Sequence, residues 1–198
     1  LLTYCYDLLV SMGVANYGVA IIVMTVVIKM LLYPLTVKQI RSMKAMGELQ
    51  PKMKALQEKY KNDKVRLNAE VANLYKESGV NPLSGCLPLL VQMPILIAIF
   101  YAIRDYSDVG VPSFFWLASL ADPDPTYVLP VVSAATTFVQ SWQTMTDTSN
   151  PQNKMMLYFM PVFIGYISLQ FSAGLVLYWI VTNVVQILQQ WWTARTTA

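Results

Sequence analysis

The sequence contains no histidine. That removes the commonest metal ligand and the side chain that most often serves as a general base near neutral pH. A Ser-His-Asp triad therefore cannot form, however many serines and aspartates are present. Cysteine is scarce: Cys5 and Cys86 make no CxxC pair, so neither a disulfide nor a metal site is expected. No GxxxxGK[ST] phosphate loop and no HExxH zinc motif occurs, and no cofactor is expected. Charge is scarce as well, 13% of 198 residues where a soluble domain carries about a quarter. Low-complexity tracts and fixed-period repeats are missing. The first residues lack the cationic start of a secretory signal, and a chain that opens on leucine is expected to have lost its initiator end by processing or trimming.

What is abundant is apolar: 56% of the residues are hydrophobic, gathered in runs too long for a soluble domain. Asn16 to Leu35 reads NYGVAIIVMTVVIKMLLYPL, with one cation, Lys29, inside it. A helix of this length crosses a hydrocarbon core of about 30 Å. A charge at that depth costs roughly 2.5 kcal/mol or more. The pattern predicts an all-α polytopic membrane protein, a single domain over 1–198 with five transmembrane helices at about 17–35, 82–103, 127–145, 155–169 and 173–192.

Between the first two spans lies the one strongly charged section, 36–79. It holds ten basic and five acidic side chains, a net +5. Ile40, Met43, Met46, Leu49, Met53, Leu56 and Tyr60 recur at helical spacing, with Pro51 as a place to bend. Asn62-Asp63 marks a turn. A second helix carries Leu67, Val71 and Leu74 on one face and stops at Ser78-Gly79. The prediction is a cytoplasmic amphipathic helical hairpin. Leu1 to Gly13, with Tyr4, Tyr6 and Asp7, reads as an amino-terminal interfacial helix, the alternative being a frayed extension of the first span. Asn81-Pro82 is a helix start. Asp122-Pro-Asp-Pro is a turn, and the run 155–192 must double back near Gln170 to Gly174.

Lysine and arginine flank the cytoplasmic ends of spans. The basic hairpin, Lys154 and Arg195 thus fall inside and the aspartate-rich loop 105–124 outside, with the amino terminus outside and the carboxy terminus cytoplasmic. Cys5 and Cys86 then lie toward opposite faces.

Two readings of Lys29 stay open on the residues alone. It is a structural cation that snorkels toward the cytoplasm, or a charge in a water-filled recess. Thr25 lies one turn away. The third span is polar on one side (Thr136, Thr137, Gln140, Ser141, Gln143, Thr144), and the fifth carries Tyr178, Trp179, Thr182, Asn183 and Gln186. Gln140, Thr144 and Asn183 also suit ordinary interhelical hydrogen bonding. A wet recess would shorten the dry distance that a polar flank must cross, and its cation would attract acidic residues. The competing function is a small-solute transporter or channel, since a buried cation can bind an anion. The hairpin's positive face suits anionic headgroups or ribosomal RNA.

The motifs YGVAIIVMTVVIKMLLYPLT (17–36), LQPKMKALQEKYKND (49–63), LYKESGVNPLSGCLPLLVQMPILIAIFYAI (74–103), DPDPTYVLP (122–130), NPQNKMMLYFMP (150–161) and FSAGLVLYWIVTNVVQILQQ (171–190) resemble, in order and spacing, the YidC membrane-protein insertase family and its mitochondrial and chloroplast relatives. The resemblance implies a five-span core and a hydrophilic groove closed on the outer side. It implies a bacterial plasma-membrane protein that inserts and helps fold nascent membrane proteins without ATP hydrolysis. Nascent chains, the bilayer, the ribosome and the Sec translocon are its implied partners, and no small-molecule substrate is expected. The family's groove cation is usually arginine. Lys29 stands there, keeping the charge but not the planar fork. The groove glutamine falls at Gln140 and the groove tryptophan at Trp179, beside Tyr178. The expected groove set is Lys29, Thr25, Gln140, Thr144, Tyr178, Trp179 and Asn183. Ser172 replaces a family proline, which implies a looser turn before the last span. The large extracytoplasmic domain and basic carboxy-terminal tail of some members are not found in this stretch.

Overall fold

Asn16 starts the central run with a side chain that accepts the amides of Gly18 (2.9 Å) and Val19 (3.3 Å), satisfying donors that a helix start otherwise leaves unpaired. The computed structural model describes residues 2–81, 87–106, 113–145 and 151–196. Pro82, Cys86, Asp108 and Asp147 lie outside the described residues. Among the described residues, regular structure is helical apart from one isolated bridge between Phe114 and Leu117.

Helix α1 (Leu2–Ser11) buries Leu2 and Cys5 and exposes Tyr4 and Leu8, with Met12 exposed just beyond its end. Tyr6 stacks on Tyr17 at 3.8 Å between ring centroids. Helix α2 (Tyr17–Leu31) ends earlier than the sequence suggested. Leu32 breaks it, and α3 (Tyr33–Lys59) departs at 67°. Tyr33 and Pro34 thus open the next helix instead of closing this one. Proline is at home in a first turn, where its missing amide would have had no partner. Helix α3 continues through Pro51. Asp63 caps α4 (Lys64–Glu77) by accepting the Arg66 amide at 3.0 Å, and the Tyr75 hydroxyl reaches Met53 Sδ at 3.0 Å. These two helices form the hairpin, with Leu67, Val71 and Leu74 half-buried.

Helices α5 (Leu87–Tyr106) and α6 (Val128–Thr144) follow. Then come α7 (Pro151–Lys154), a π-helical turn (Met155–Phe159) and α8 (Met160–Ser168). The last element, α9 (Ala173–Thr196), is the central one: it packs on α2 and α6 and also meets α3 and α5. Its apolar core residues include Leu175, Val176, Leu177 and Ile180, packed with Ala20, Ile21 and Met24 of α2. Between α6 and α8, small residues allow close approach. A Cβ on Gly165 would lie 3.0 Å from that of Ala134, and the Ser133 and Ser168 hydroxyls are 3.0 Å apart.

Among the described residues, α9 by itself is long and apolar enough to cross a membrane. The bent pair α2–α3 passes the same test together, and Leu90–Arg104 and Met155–Ser168 are shorter apolar helices. The start of α9 is tied to the loop before α6: the Ala173 amide donates to the Asp122 carbonyl and the Gly174 amide to the Leu120 carbonyl, both at 2.8 Å. Ser172, expected to loosen this turn, contributes a carbonyl that accepts from Leu175 (3.0 Å) and Val176 (3.1 Å). Glycine at 174 favours this close approach, because a Cβ there would crowd Ile103 Cδ1 at 3.0 Å and the Leu120 carbonyl at 3.1 Å.

Candidate functional site

One face of α9 carries polar groups at helical spacing, and α2 and α6 bring theirs to it. Lys29, three residues before the α2–α3 break, donates from Nζ to Gln186 Oε1 at 2.8 Å. Gln189, one turn further along α9, donates from Nε2 to the Lys29 carbonyl at 3.1 Å. On the α6 side, Asn183 Nδ2 donates to Thr137 Oγ1 at 3.0 Å, and Trp179 Nε1 donates to the same oxygen at 3.2 Å. A longer contact runs from Asn183 to Thr136 Oγ1 at 3.4 Å. Gln190 Nε2 closes the seam by donating to Thr144 Oγ1 at 3.3 Å. The result is a hydrogen-bonded polar seam joining α2, α9 and α6.

Electrostatically the seam is one-sided. Lys29 is half-buried, and among the described residues no carboxylate pairs with it. Its hydrogen-bonding partner, an amide oxygen, is neutral, so the charge is held but not cancelled. Two further amide oxygens, Gln189 Oε1 and Gln190 Oε1, are buried with no hydrogen-bond partner among the described residues. Both Gln amides are oriented by their donor bonds, Gln189 most firmly because a carbonyl can only accept.

Of the expected groove residues, the structure gathers Lys29, Thr144, Trp179 and Asn183 along this seam. Thr25 does not join it. It is 1% exposed, and its hydroxyl donates to the Ile21 carbonyl of its own helix at 2.6 Å. Gln140 is half-buried and contributes a backbone carbonyl, which accepts from Thr144 at 2.9 Å; its side chain takes no part in the Thr137–Asn183 bonds. Tyr178 and Trp179 face different neighbours, since adjacent helix positions diverge by about 100°. The Tyr178 hydroxyl accepts from Gln92 Nε2 of α5 at 2.7 Å. Four seam residues lie outside the expected groove set: Thr137 and Gln186, which the sequence marks only as polar, and Gln189 and Gln190, which it does not mark. The available signal is the polar stripe Trp179, Asn183 and Gln186, which continues at the same spacing to Gln190. Among the described residues no cluster of three or more Cys, Asp or Glu side chains suits a metal ion.

A cation without a carboxylate in a membrane-type helical bundle narrows the families with which the chain can be compared. The model of a family described as 60Kd inner membrane protein matches residues 9–198. A membrane protein insertase YidC from Fusobacterium nucleatum is 44% identical over 182 residues, 92% of this chain and 88% of that one. Membrane protein insertase YidC 2 from Bacillus anthracis is 45% identical over 197 residues, 96% of this chain and 75% of its own length. The chain spans only 34% of the longer YidC of Geobacter sulfurreducens, at 44% identity. The fold is also that of a solved structure described as an active YidC insertase with its first transmembrane domain resolved. The TM-score is 0.76 and the identity 28%, over 93% of this chain and 42% of that one. With a family model spanning nearly the whole chain, close relatives of similar length and the same fold, the chain belongs to the 60Kd inner membrane protein family, that of the YidC insertases.

Proposed function

We propose that the protein is a membrane-protein insertase of the bacterial inner membrane, acting on nascent membrane proteins at the bilayer. Its apolar helices α2, α5, α6, α8 and α9 are read as five spans, with the amino terminus outside and the hairpin and carboxy terminus in the cytoplasm. The step carried out at the polar seam is the lowering of the barrier for a polar flank. Peptide groups entering hydrocarbon without hydrogen-bond partners cost several kcal/mol each at worst, roughly 2–7 kcal/mol. A hydrated seam part-way across keeps them paired for part of the distance. The unpaired buried oxygens of Gln189 and Gln190 support hydration there, since buried polar atoms are normally satisfied by protein or water.

The single observation that carries the reading is the Lys29 ammonium bonded to a neutral amide. It leaves a positive charge available to an acidic residue in the translocating flank, and the attraction strengthens as the dielectric falls. No covalent step, nucleotide or metal is required. The basic hairpin is read as the receiving surface for substrate, the ribosome or the Sec translocon, with anionic headgroups beneath it.

In proteoliposomes, Lys29→Ala is expected to slow insertion of a single-span substrate with an acidic translocated flank about tenfold, the effect of losing roughly 1.4 kcal/mol of charge attraction. Lys29→Arg should retain the rate, because the charge is kept. A substrate with an uncharged flank should change by less than about twofold in either variant. Undiminished insertion of the acidic substrate by Lys29→Ala would remove the attraction step. Uptake of a small anion by the same liposomes would point to a transporter instead.

A further inference from the structure

Helices α2 and α9 run parallel: Ile21 reaches Gly174 near their starts, and Lys29, near the end of α2, meets Gln186 and Gln189 in the second half of α9. That fixes the depth of the two contacts with Lys29. Gln189 takes its backbone carbonyl, while Gln186, three residues earlier on α9, takes its ammonium. Three residues of helix are about 4.5 Å. The ammonium is therefore held by a side chain rooted about 4.5 Å nearer the start of α9 than the one that takes the carbonyl, on the side away from the break at Leu32 where α3 departs. This is the direction in which helical side chains lean. It is opposite to the direction in which a lysine near a span end would snorkel to reach water.

We infer that Gln186 and Gln189 clamp Lys29 at both ends of the residue and set the depth of its charge, with Gln186 as the placeholder that a substrate carboxylate displaces. Both are positioning residues acting through Lys29. A neutral amide suits the placeholder role. It supplies one acceptor that keeps the flexible lysine stem from turning toward α3. It also yields to a carboxylate, whose charge-assisted bond to the same ammonium is about twice as strong. Gln189 serves the backbone, pairing a carbonyl in the last turn of α2, where the helix leaves carbonyls unpaired. The inference that a substrate carboxylate is the displacing group rests on the insertase reading; the clamp itself does not.

The clamp is tested in reconstituted protein by two readouts. The first is acylation of Lys29 by a water-soluble amine reagent, resolved by peptide mass spectrometry with Lys38 as internal control. Gln186→Leu is expected to raise Lys29 labelling about tenfold as the ammonium swings to the α3 end. Gln186→Asn, which keeps an amide but shortens it by one methylene, should raise it in the same direction if the leucine variant fails to fold. Labelling unchanged in both variants overturns the clamp. The second readout is insertion of a single-span substrate with one aspartate moved along its translocated flank. Gln186→Leu should shift the most favourable aspartate by one or two positions toward the α3 end. Gln186→Glu, which neutralises Lys29 in place, should abolish the aspartate's advantage. A most favourable position unmoved in Gln186→Leu also overturns the clamp. Raised labelling together with no aspartate advantage in the unmodified protein upholds the clamp and removes the attraction reading alone.

Discussion

Replacing Asp124 with alanine should lower stability by about 3 kcal/mol at neutral pH, since hydrogen bonds to a charged group are worth roughly 1.5–3 kcal/mol each and are not additive. Asp124 is 5% exposed in the loop before α6. Its Oδ1 accepts from the Thr126 amide at 2.9 Å and the Thr126 hydroxyl at 2.6 Å, and its Oδ2 accepts from the Leu129 amide at 2.7 Å. The helix needs that last bond. Tyr127, at the cap position, is in the left-handed region (φ 62°) and has no side-chain capping bond, so the Leu129 amide in the first turn is satisfied from five residues upstream. The same loop presents the Leu120 and Asp122 carbonyls to the start of α9, so loosening it uncaps two helices at once.

The pH dependence follows from the direction of its pKa. Burial pushes the Asp124 carboxyl up, but the bonds from Thr126, Leu129 and Trp116 outweigh burial and hold it below the usual carboxylate value. The unfolded chain takes up its proton near pH 4, and the folded chain does so lower. The stabilisation is therefore fully present above about pH 4 and is lost as pH falls through the folded value. Thermal midpoints of the unmodified protein and of Asp124→Asn in detergent should differ most at neutral pH and converge below that range. A constant gap down to pH 3 would show that the carboxylate charge contributes nothing.

The turn at Asp122-Pro-Asp-Pro was legible in the sequence because proline and aspartate carry their turn chemistry locally. The capping role of Asp124 was not, because it depends on a left-handed residue at 127 that no local preference demands. The same division runs through the chain. The hairpin turn at Asn62-Asp63 could be read because Asp63 caps its own neighbour. The helix break at Leu32 was placed up to three residues late, because proline at 34 is compatible both with ending one helix and with opening another. The π-helical turn at Met155–Phe159 has no signature in MMLYF.

In the site, Lys29 stood out because one charge in an apolar run is costly wherever it lies. Its pairing with Gln186 and Gln189 did not stand out, because glutamine at a helix interface is common and says nothing of which neighbour it meets. Spacing along one helix suggested that Thr25 sits with Lys29, but a buried threonine can spend its hydroxyl on its own backbone, and Thr25 does. Adjacency made Tyr178 and Trp179 look like a pair, whereas helix geometry sends one to α5 and the other to α6. What depended on one helix's own period was readable; what depended on which helices face each other needed the fold.

The second large effect comes from a contact between residues far apart in sequence. Gly18 lies in the first turn of α2, and a Cβ built on it would collide with the Phe114 ring. Phe114 is 5% exposed and belongs to the core shared by α1, α2 and α9. Gly18→Ala must therefore expel the ring or displace the loop that carries it. Losing a buried phenylalanine costs about 3–5 kcal/mol, against a gain of only about 0.5–1 kcal/mol from alanine over glycine in a helix, so the steric loss wins. The expected result is a destabilisation of about 3 kcal/mol for Gly18→Ala and a similar one for Phe114→Ala. The decisive measurement is the double variant. With the ring gone, the new methyl has room, so Gly18→Ala in the Phe114→Ala background should be neutral or slightly stabilising. That gives a coupling near the full size of either single effect, as expected for residues in direct contact. Additive losses in the double variant would mean that the ring does not occupy the notch over Gly18, and the docking of the 113–120 loop on α2 would have to be held elsewhere.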